Sequence, residues 1–329
     1  DVAHTVQEML FGAMDELTLG DPWDLATDIG PVIDAEAQAD IQAYIEAARG
    51  EGRVLKQLKT PASGHFIPPT VIRVGGIKDM PREIFGPVLH IATFKATQLD
   101  AVIDAVNATG YGLTFGLHSR IDDRVQRIVE RLCVGNTYVN RNQIGAVVGS
   151  QPFGGEGLSG TGPKAGGPAY LARFTTTPAP QGSPDASTPT LPPLPQPAEA
   201  PLARHNLPGP TGESNRLSTV QRPPLLCLGP GKATATAQAE AIRALGGLAV
   251  EAPGLAPETL TTAEGFSGAL FWGEGARAYG QALAARKGPI LPLICDRPDA
   301  AHATLERHLC IDTTASGGNA QLLAQVAKA

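Results

Sequence analysis

LTFGLHSRIDDRVQRIVERLCVGNTYVN, residues 113–140, reads as a strand over Leu113–Ser119, a helix from Asp122 to Leu132 and a second strand over Asn136–Asn140. The same alternation extends to both sides of it. Upstream, Arg53–Leu58, Phe66–Val74 and Val88–Phe94 are short β-branched or aromatic runs bounded by Gly, Pro and Asp, and Gln98–Asn107 has helical spacing. Asp34 is positioned to cap a helix that runs through Ile41 and Ile45 to Gly50. Before it, Val2, Val6, Met9, Leu10, Ala13 and Leu17 predict an amphipathic helix buried on that side, ending near Gly20, with turn chemistry over Gly20–Pro31. Such alternation predicts an α/β fold with a largely parallel sheet.

Further along, residues 178–224 hold 13 prolines in 47 residues and few apolar side chains beyond isolated leucines, so they predict an extended linker. Strand and helix then alternate again over Leu225–Leu228, Gly231–Leu245, Leu248–Val250, Ala269–Trp272, Ala276–Arg286 and Ile290–Ile294. The expected organisation is residues 1–176, a Pro-rich linker over 177–222, and a smaller α/β domain over 223–329.

A chain of 329 residues suggests about two domains. No apolar run approaches the roughly 20 residues of a bilayer span. With 26 Lys plus Arg against 32 Asp plus Glu the net charge is −6, so no basic field gathers nucleic-acid phosphates or anionic lipid. Four scattered cysteines (Cys133, Cys227, Cys295, Cys310) argue for a reduced, cytoplasmic chain rather than a disulfide scaffold. The opening, without an initiator Met and already in helical periodicity, predicts a piece of a longer protein.

In EIFGPVL (83–89), Glu83 precedes a Gly-Pro turn and an apolar strand. Alone, a Glu at such a junction is ordinarily a solvated surface residue. Facing a cleft, its carboxylate could accept hydrogen bonds from two adjacent sugar hydroxyls, with Phe85 as a flat apolar wall. Residues 144–167 hold nine glycines, which read either as a flexible loop or as backbone N–H groups that form a nest for a carboxylate, with Gly145 and Ala146 the best candidates. Gly229-Pro230-Gly231-Lys232 fits no phosphate-loop pattern and reads as a plain strand-to-helix turn. Cys227 and Cys295 lie in apolar runs and read as buried, unreactive thiols. Gly157-Leu158-Ser159-Gly160-Thr161 misses the nucleophile elbow, and no His/Cys cluster has metal-ligand spacing, so no metal is expected.

GDP (20–22), TDIGP (27–31), FIPPTVI (66–72), EIFGPVL (83–89), TGYGLTFGLHSR (109–120), VGNTYVNR (134–141) and QPFGGEGLSGTGPKAGGP (151–168), in this order, resemble the later half of aldehyde dehydrogenases over about residues 1–176. The string from Val139 to Phe174 resembles L-glutamate-γ-semialdehyde dehydrogenases. LPGPTGESNRLS (207–218) and DTTASGGNAQLL (312–323) are similar to the proline utilization A (PutA) bifunctional enzymes.

The resemblance implies an NAD-dependent oxidation of glutamate semialdehyde to glutamate in proline catabolism, by a homo-oligomer. It implies that Glu83 binds the nicotinamide ribose hydroxyls with Phe85 beside it, that Gly145 and Ala146 hold the substrate α-carboxylate, and that Phe153 walls the aliphatic chain. For residues 223–329 it implies an aldehyde-dehydrogenase-like fold without activity of its own, covering a substrate tunnel. The family's nucleophilic Cys, general-base Glu, oxyanion Asn, Rossmann domain and FAD-dependent proline dehydrogenase domain match nothing here. The chain alone is therefore expected to be inactive. Another acidic-semialdehyde dehydrogenase, and a non-catalytic assembly or lid module, are the alternative readings.

Overall fold

The computed structural model describes residues 2–80, 82–185 and 190–314, in two compact units, Asp1–Thr109 and Gly110–Ala329. The first unit contains α1 (Ala3–Asp15), α2 (Ala35–Gly50), β1 (Val54–Gln57), β2 (Thr70–Arg73), β3 (Val88–Ile91) and α3 (Leu99–Asn107). Its sheet has β2 at the centre, with β1 antiparallel and β3 parallel to it. Asp34 caps α2 by accepting the Ala37 N–H at 2.8 Å. The Ile41, Ile45 and Ala48 stripe of α2 is buried with Ile67, Ile72 and Val74 from the sheet side.

The burial expected for α1 is corrected by one row of side chains. Val2, Val6 and Met9 are 74%, 60% and 71% exposed, whereas Met14 is buried and Leu10 and Leu17 half-buried. The helix thus buries its i, i+4, i+7 row from Leu10, and the neighbouring apolar row is left to solvent within this unit.

The second unit contains β4 (Tyr111–Gly112), β5 (Thr114–Leu117), α4 (Asp122–Arg131), β6 (Asn136–Val139), β7 (Glu156–Gly157), β8 (Ala203–Leu207), β9 (Glu213–Gln221), β10 (Leu225–Cys227), α5 (Lys232–Ala244), β11 (Ala249–Glu251), β12 (Gly268–Leu270), α6 (Ala276–Ala284), β13 (Leu293–Ile294), α7 (Ala300–Ala303) and β14 (Thr304–Asp312). A four-stranded parallel sheet runs β11-β10-β12-β13. Both its faces are covered: Leu225 and Cys227 pack with Ala235, Ala239 and Ile242 of α5, and Leu226 and Leu228 with Ala282 and Leu283 of α6. Apolar side chains on both faces explain why β10 reads as a continuous apolar run.

A five-stranded sheet runs β5-β6-β14-β9-β8 and is mixed rather than largely parallel. β14 is parallel to β6 and antiparallel to β9 over nine residue pairs from Thr304↔Gln221 to Asp312↔Glu213. α4 packs on this sheet through Val125, beside Val139 of β6 and Leu309 and Ile311 of β14.

Two expectations change here. The linker reading fails for 203–221, where β8 and β9 form an antiparallel hairpin around Pro208–Gly212. Its residues are too polar to signal a strand by apolar content, and its main partner β14 lies far along the chain. Nor do residues 223–329 stand apart, because β14 is the middle strand of a sheet that begins with β5 and β6. Ahead of the hairpin, Leu191 and Leu194 pack onto the Leu226 cluster, so the isolated leucines serve as anchors.

Candidate functional site

In the first unit, the segment leading into β3 turns Ile84 inward against Ile41, Ile45, Ile67 and Val88, while Glu83 and Phe85 stay exposed, Phe85 by 80%. Gly86 brings the chain close to α2: a Cβ there would lie 2.6 Å from Ile41 Cδ1 and push that methyl aside. Glu83 makes no hydrogen bond or ion pair among the described residues. The pair is thus a carboxylate and a bare ring held outward by a half-buried neighbour.

In the second unit, Gly145 and Ala146 lie in an exposed loop between β6 and the turn 147–151. Neither of their N–H groups donates to a described residue, and Gly145 has φ 100°, in the left-handed region. The loop is nonetheless held at defined points. Tyr138 Oη of β6 donates to Gly145 O at 2.9 Å. Gln151 N–H donates to Val147 O at 2.7 Å and Val147 N–H returns to Gln151 O at 3.2 Å.

Phe153 is half-buried and its backbone is fixed on both sides. Its N–H donates to Ala165 O at 3.0 Å and its carbonyl accepts from Ala165 N–H at 2.8 Å. Asn136 donates to Pro152 O at 2.8 Å and accepts from Gly154 N–H at 3.1 Å. Lys164 Nζ donates to the same Asn136 Oδ1 at 2.9 Å and to Gly154 O. Burial lowers this ammonium to about 8, against the pull of Glu306 and Glu156.

The groups that fasten this loop were not legible as site residues. Glu213 at the start of β9 accepts from Arg141 Nη1 on one carboxylate oxygen, and from Gln151 Nε2 and Asn215 Nδ2, each at 2.8 Å, on the other. Burial would raise the Glu213 carboxyl, but the hydrogen bonds from Asn215 and Gln151 and the Arg141 charge together hold it below the usual range. Glu156 of β7 accepts two hydrogen bonds from Arg307 of β14, at 2.7 and 2.9 Å. The one sequence signal for Glu213 was the Pro-Gly-Pro-Thr-Gly turn just before it.

Among the cysteines, Cys227 and Cys310 are buried, and burial pushes their thiols to about 12 and about 11. Cys295 is exposed, correcting the expectation, because it is the first residue beyond β13 rather than part of it. At the Gly229–Lys232 turn, the Lys232 N–H that opens α5 is taken by the chain's own Asp185 carboxylate at 2.6 Å. No group of three or more His, Cys, Asp or Glu is arranged for a metal among the described residues.

The aldehyde dehydrogenase family model matches residues 1–179, which contain both loops. The chain belongs to the aldehyde dehydrogenase family. It is 37% identical to the bifunctional protein PutA of Salmonella typhimurium, an alignment that covers 98% of this chain and 30% of that protein. With the PutA of Rhizobium meliloti it shares 40% identity over 92% of this chain and 29% of that one. The 1-pyrroline-5-carboxylate dehydrogenase of Geobacillus sp. (strain WCH70) is 42% identical over 52% of this chain and 33% of that protein. A crystal structure of a Bradyrhizobium japonicum proline utilization A mutant matches 53% of this chain and 18% of that one, at 51% identity and a TM-score of 0.51. The chain spans about a third of the length of these curated relatives. Glu213 and Arg307 lie beyond the segment matched by the family model but inside the alignment to the Salmonella PutA, which takes in nearly the whole chain.

Proposed function

We propose that the protein carrying this chain oxidises L-glutamate γ-semialdehyde to L-glutamate with NAD, and that this chain supplies part of the cofactor and substrate contacts. The observation that carries the reading is the pair of unengaged N–H groups at Gly145 and Ala146, in a chain so similar to PutA proteins and 1-pyrroline-5-carboxylate dehydrogenases. Two N–H groups in succession suit a carboxylate, which an aldehyde lacking one does not offer. Phe153, fixed through Asn136 and Ala165, would flank the aliphatic chain.

Glu83 and Phe85 fit a nicotinamide ribose: the carboxylate has both oxygens available and the ring is bare on one side. Bound there, the nicotinamide would take up the hydride released by the aldehyde carbon. The buried Cys227 and Cys310 have raised thiols that are poor nucleophiles at neutral pH, and neither they nor the exposed Cys133 and Cys295 stand in the family's nucleophile motif, which matches nothing in this chain. The chain by itself is therefore expected to be inactive. The same reading has the whole protein as a cytoplasmic homo-oligomer; no described helix is long and apolar enough to cross a membrane.

Kinetics of the full-length protein with glutamate, succinic and other acidic semialdehydes test the substrate. The glutamate semialdehyde should have the highest kcat/KM, and another best substrate overturns the assignment. In the same protein, Glu83→Gln should raise the KM for NAD about tenfold, the scale of one hydrogen bond to a charged group, and leave the aldehyde KM in place. An unchanged cofactor dependence removes Glu83 from the site.

A further inference from the structure

We infer that Glu213, contributed by the β8–β9 hairpin outside the segment matched by the family model, is the positioning residue that shapes the Gly145–Ala146 loop for a substrate carboxylate. This rests on the reading of that loop as the carboxylate site. The loop's own residues 142–149 are exposed, so packing does little to hold them, and their conformation depends on a few hydrogen bonds: Tyr138 Oη to Gly145 O, the Gly149 N–H to Gly166 O at 3.1 Å, and those that grip the two ends. Glu213 grips both. Arg141, at the end where the chain leaves β6, donates to one of its oxygens, and Gln151, at the end where the turn closes onto Val147, donates to the other at 2.8 Å.

The clamp is itself rigid. Asn215 donates to Glu213 Oε1 at 2.8 Å and to Pro208 O at 3.2 Å, tying the carboxylate to the hairpin turn. Glu213 pairs with Asp312 of β14 in the sheet. Side-chain exposures of 14% for Glu213 and 22% for Arg141 keep water from substituting for these partners. Arg141 also lies over the ring of Tyr138, 5.7 Å from its centroid, and Tyr138 is the side chain that holds the Gly145 carbonyl. One carboxylate thus fixes the Gln151 turn directly and, through Arg141 and Tyr138, the peptide that precedes Ala146.

The geometry separates binding from chemistry. A loosened clamp lets the two N–H groups spread over many orientations, which weakens capture of the carboxylate end of the substrate and leaves cofactor contacts alone.

The test is made in the full-length protein with Glu213→Gln, Glu213→Asp, Gln151→Met and Ala146→Pro. Glu213→Gln and Gln151→Met are each expected to raise the KM for L-glutamate γ-semialdehyde about tenfold, with kcat within about twofold. KM for NAD should stay at the wild-type value, and Glu213→Asp, which keeps the charge, should recover part of the loss. Ala146→Pro, which deletes one N–H of the proposed site, should raise the same KM. If Ala146→Pro raises it while Glu213→Gln and Gln151→Met do not, the clamp is refuted and the loop reading survives. If none of the variants changes it, the loop reading itself falls. A loss shared by kcat and both KM values would show that Glu213 only supports folding, and would also overturn the inference.

Discussion

Arg307→Ala is expected to lower the unfolding free energy by about 3–5 kcal/mol, the scale for breaking one side of a buried ion pair. Glu156 is only 7% exposed at its side chain and Arg307 27%, and the guanidinium meets the carboxylate through two hydrogen bonds at 2.7 and 2.9 Å. Removing the cation strands a nearly buried carboxylate among Gly-rich backbone without its charge partner. The pair also joins β7 to β14 across 151 positions of sequence. Chemical denaturation of the variant should show the loss directly. A companion with Glu156→Leu and Arg307→Met should recover most of the stability, because an apolar pair of similar volume has no stranded charge. A loss below about 1 kcal/mol in the single variant would place the pair with ordinary surface ion pairs and refute the claim.

The second large effect is an acid sensitivity from His308. This imidazole is 1% exposed in the middle of β14, edge-on to Tyr138 at 6.5 Å between ring centroids. Neither ring nitrogen has a hydrogen-bond partner among the described residues. Burial, aided by the Lys164 charge, lowers it from its ordinary 6.5 to about 4. Above pH 6.5 both the folded and the unfolded chain hold it neutral, and it exerts no pH effect. As pH falls from 6.5 towards 4 the unfolded chain binds a proton that the folded chain refuses, so stability drops by up to about 3 kcal/mol. His308→Leu cannot bind that proton. Its stability should therefore fall less steeply than the wild type's across this window, and parallel pH profiles would show that His308 is solvated or charged in the fold. Lys164 acts by the same sign between its ordinary 10.5 and about 8: stability falls as pH drops through that range, so it adds nothing to the acid limb.

Legibility followed the distance over which each signal acts. Asp34 announced α2, and the helix and strand runs between Asp122 and Asn140 formed as read, because capping and periodicity are local. β10 through β13 and α5 and α6 were readable for the same reason. α1 reads as a helix with too wide a buried face, taking in Val2, Val6 and Met9 as well as Leu10 and Leu17, since nothing within the helix says which of two adjacent apolar rows meets a partner. β8, β9 and β14 escaped because strands with polar residues such as Glu213, Asn215 and Arg216 gain their stability from partners far along the chain.

The amino-acid order by itself determined the alternating α/β elements, the family resemblance and the two loops that carry Glu83 with Phe85 and Gly145 with Ala146. Only the tertiary structure decided what holds the second loop and what completes its sheet. Glu213 reaches Arg141 and Gln151, and Arg307 reaches Glu156, across long stretches of chain. The physical reason is that a charge in a half-buried contact is defined by its partner, and two residues become partners only when β14 slides between β6 and β9.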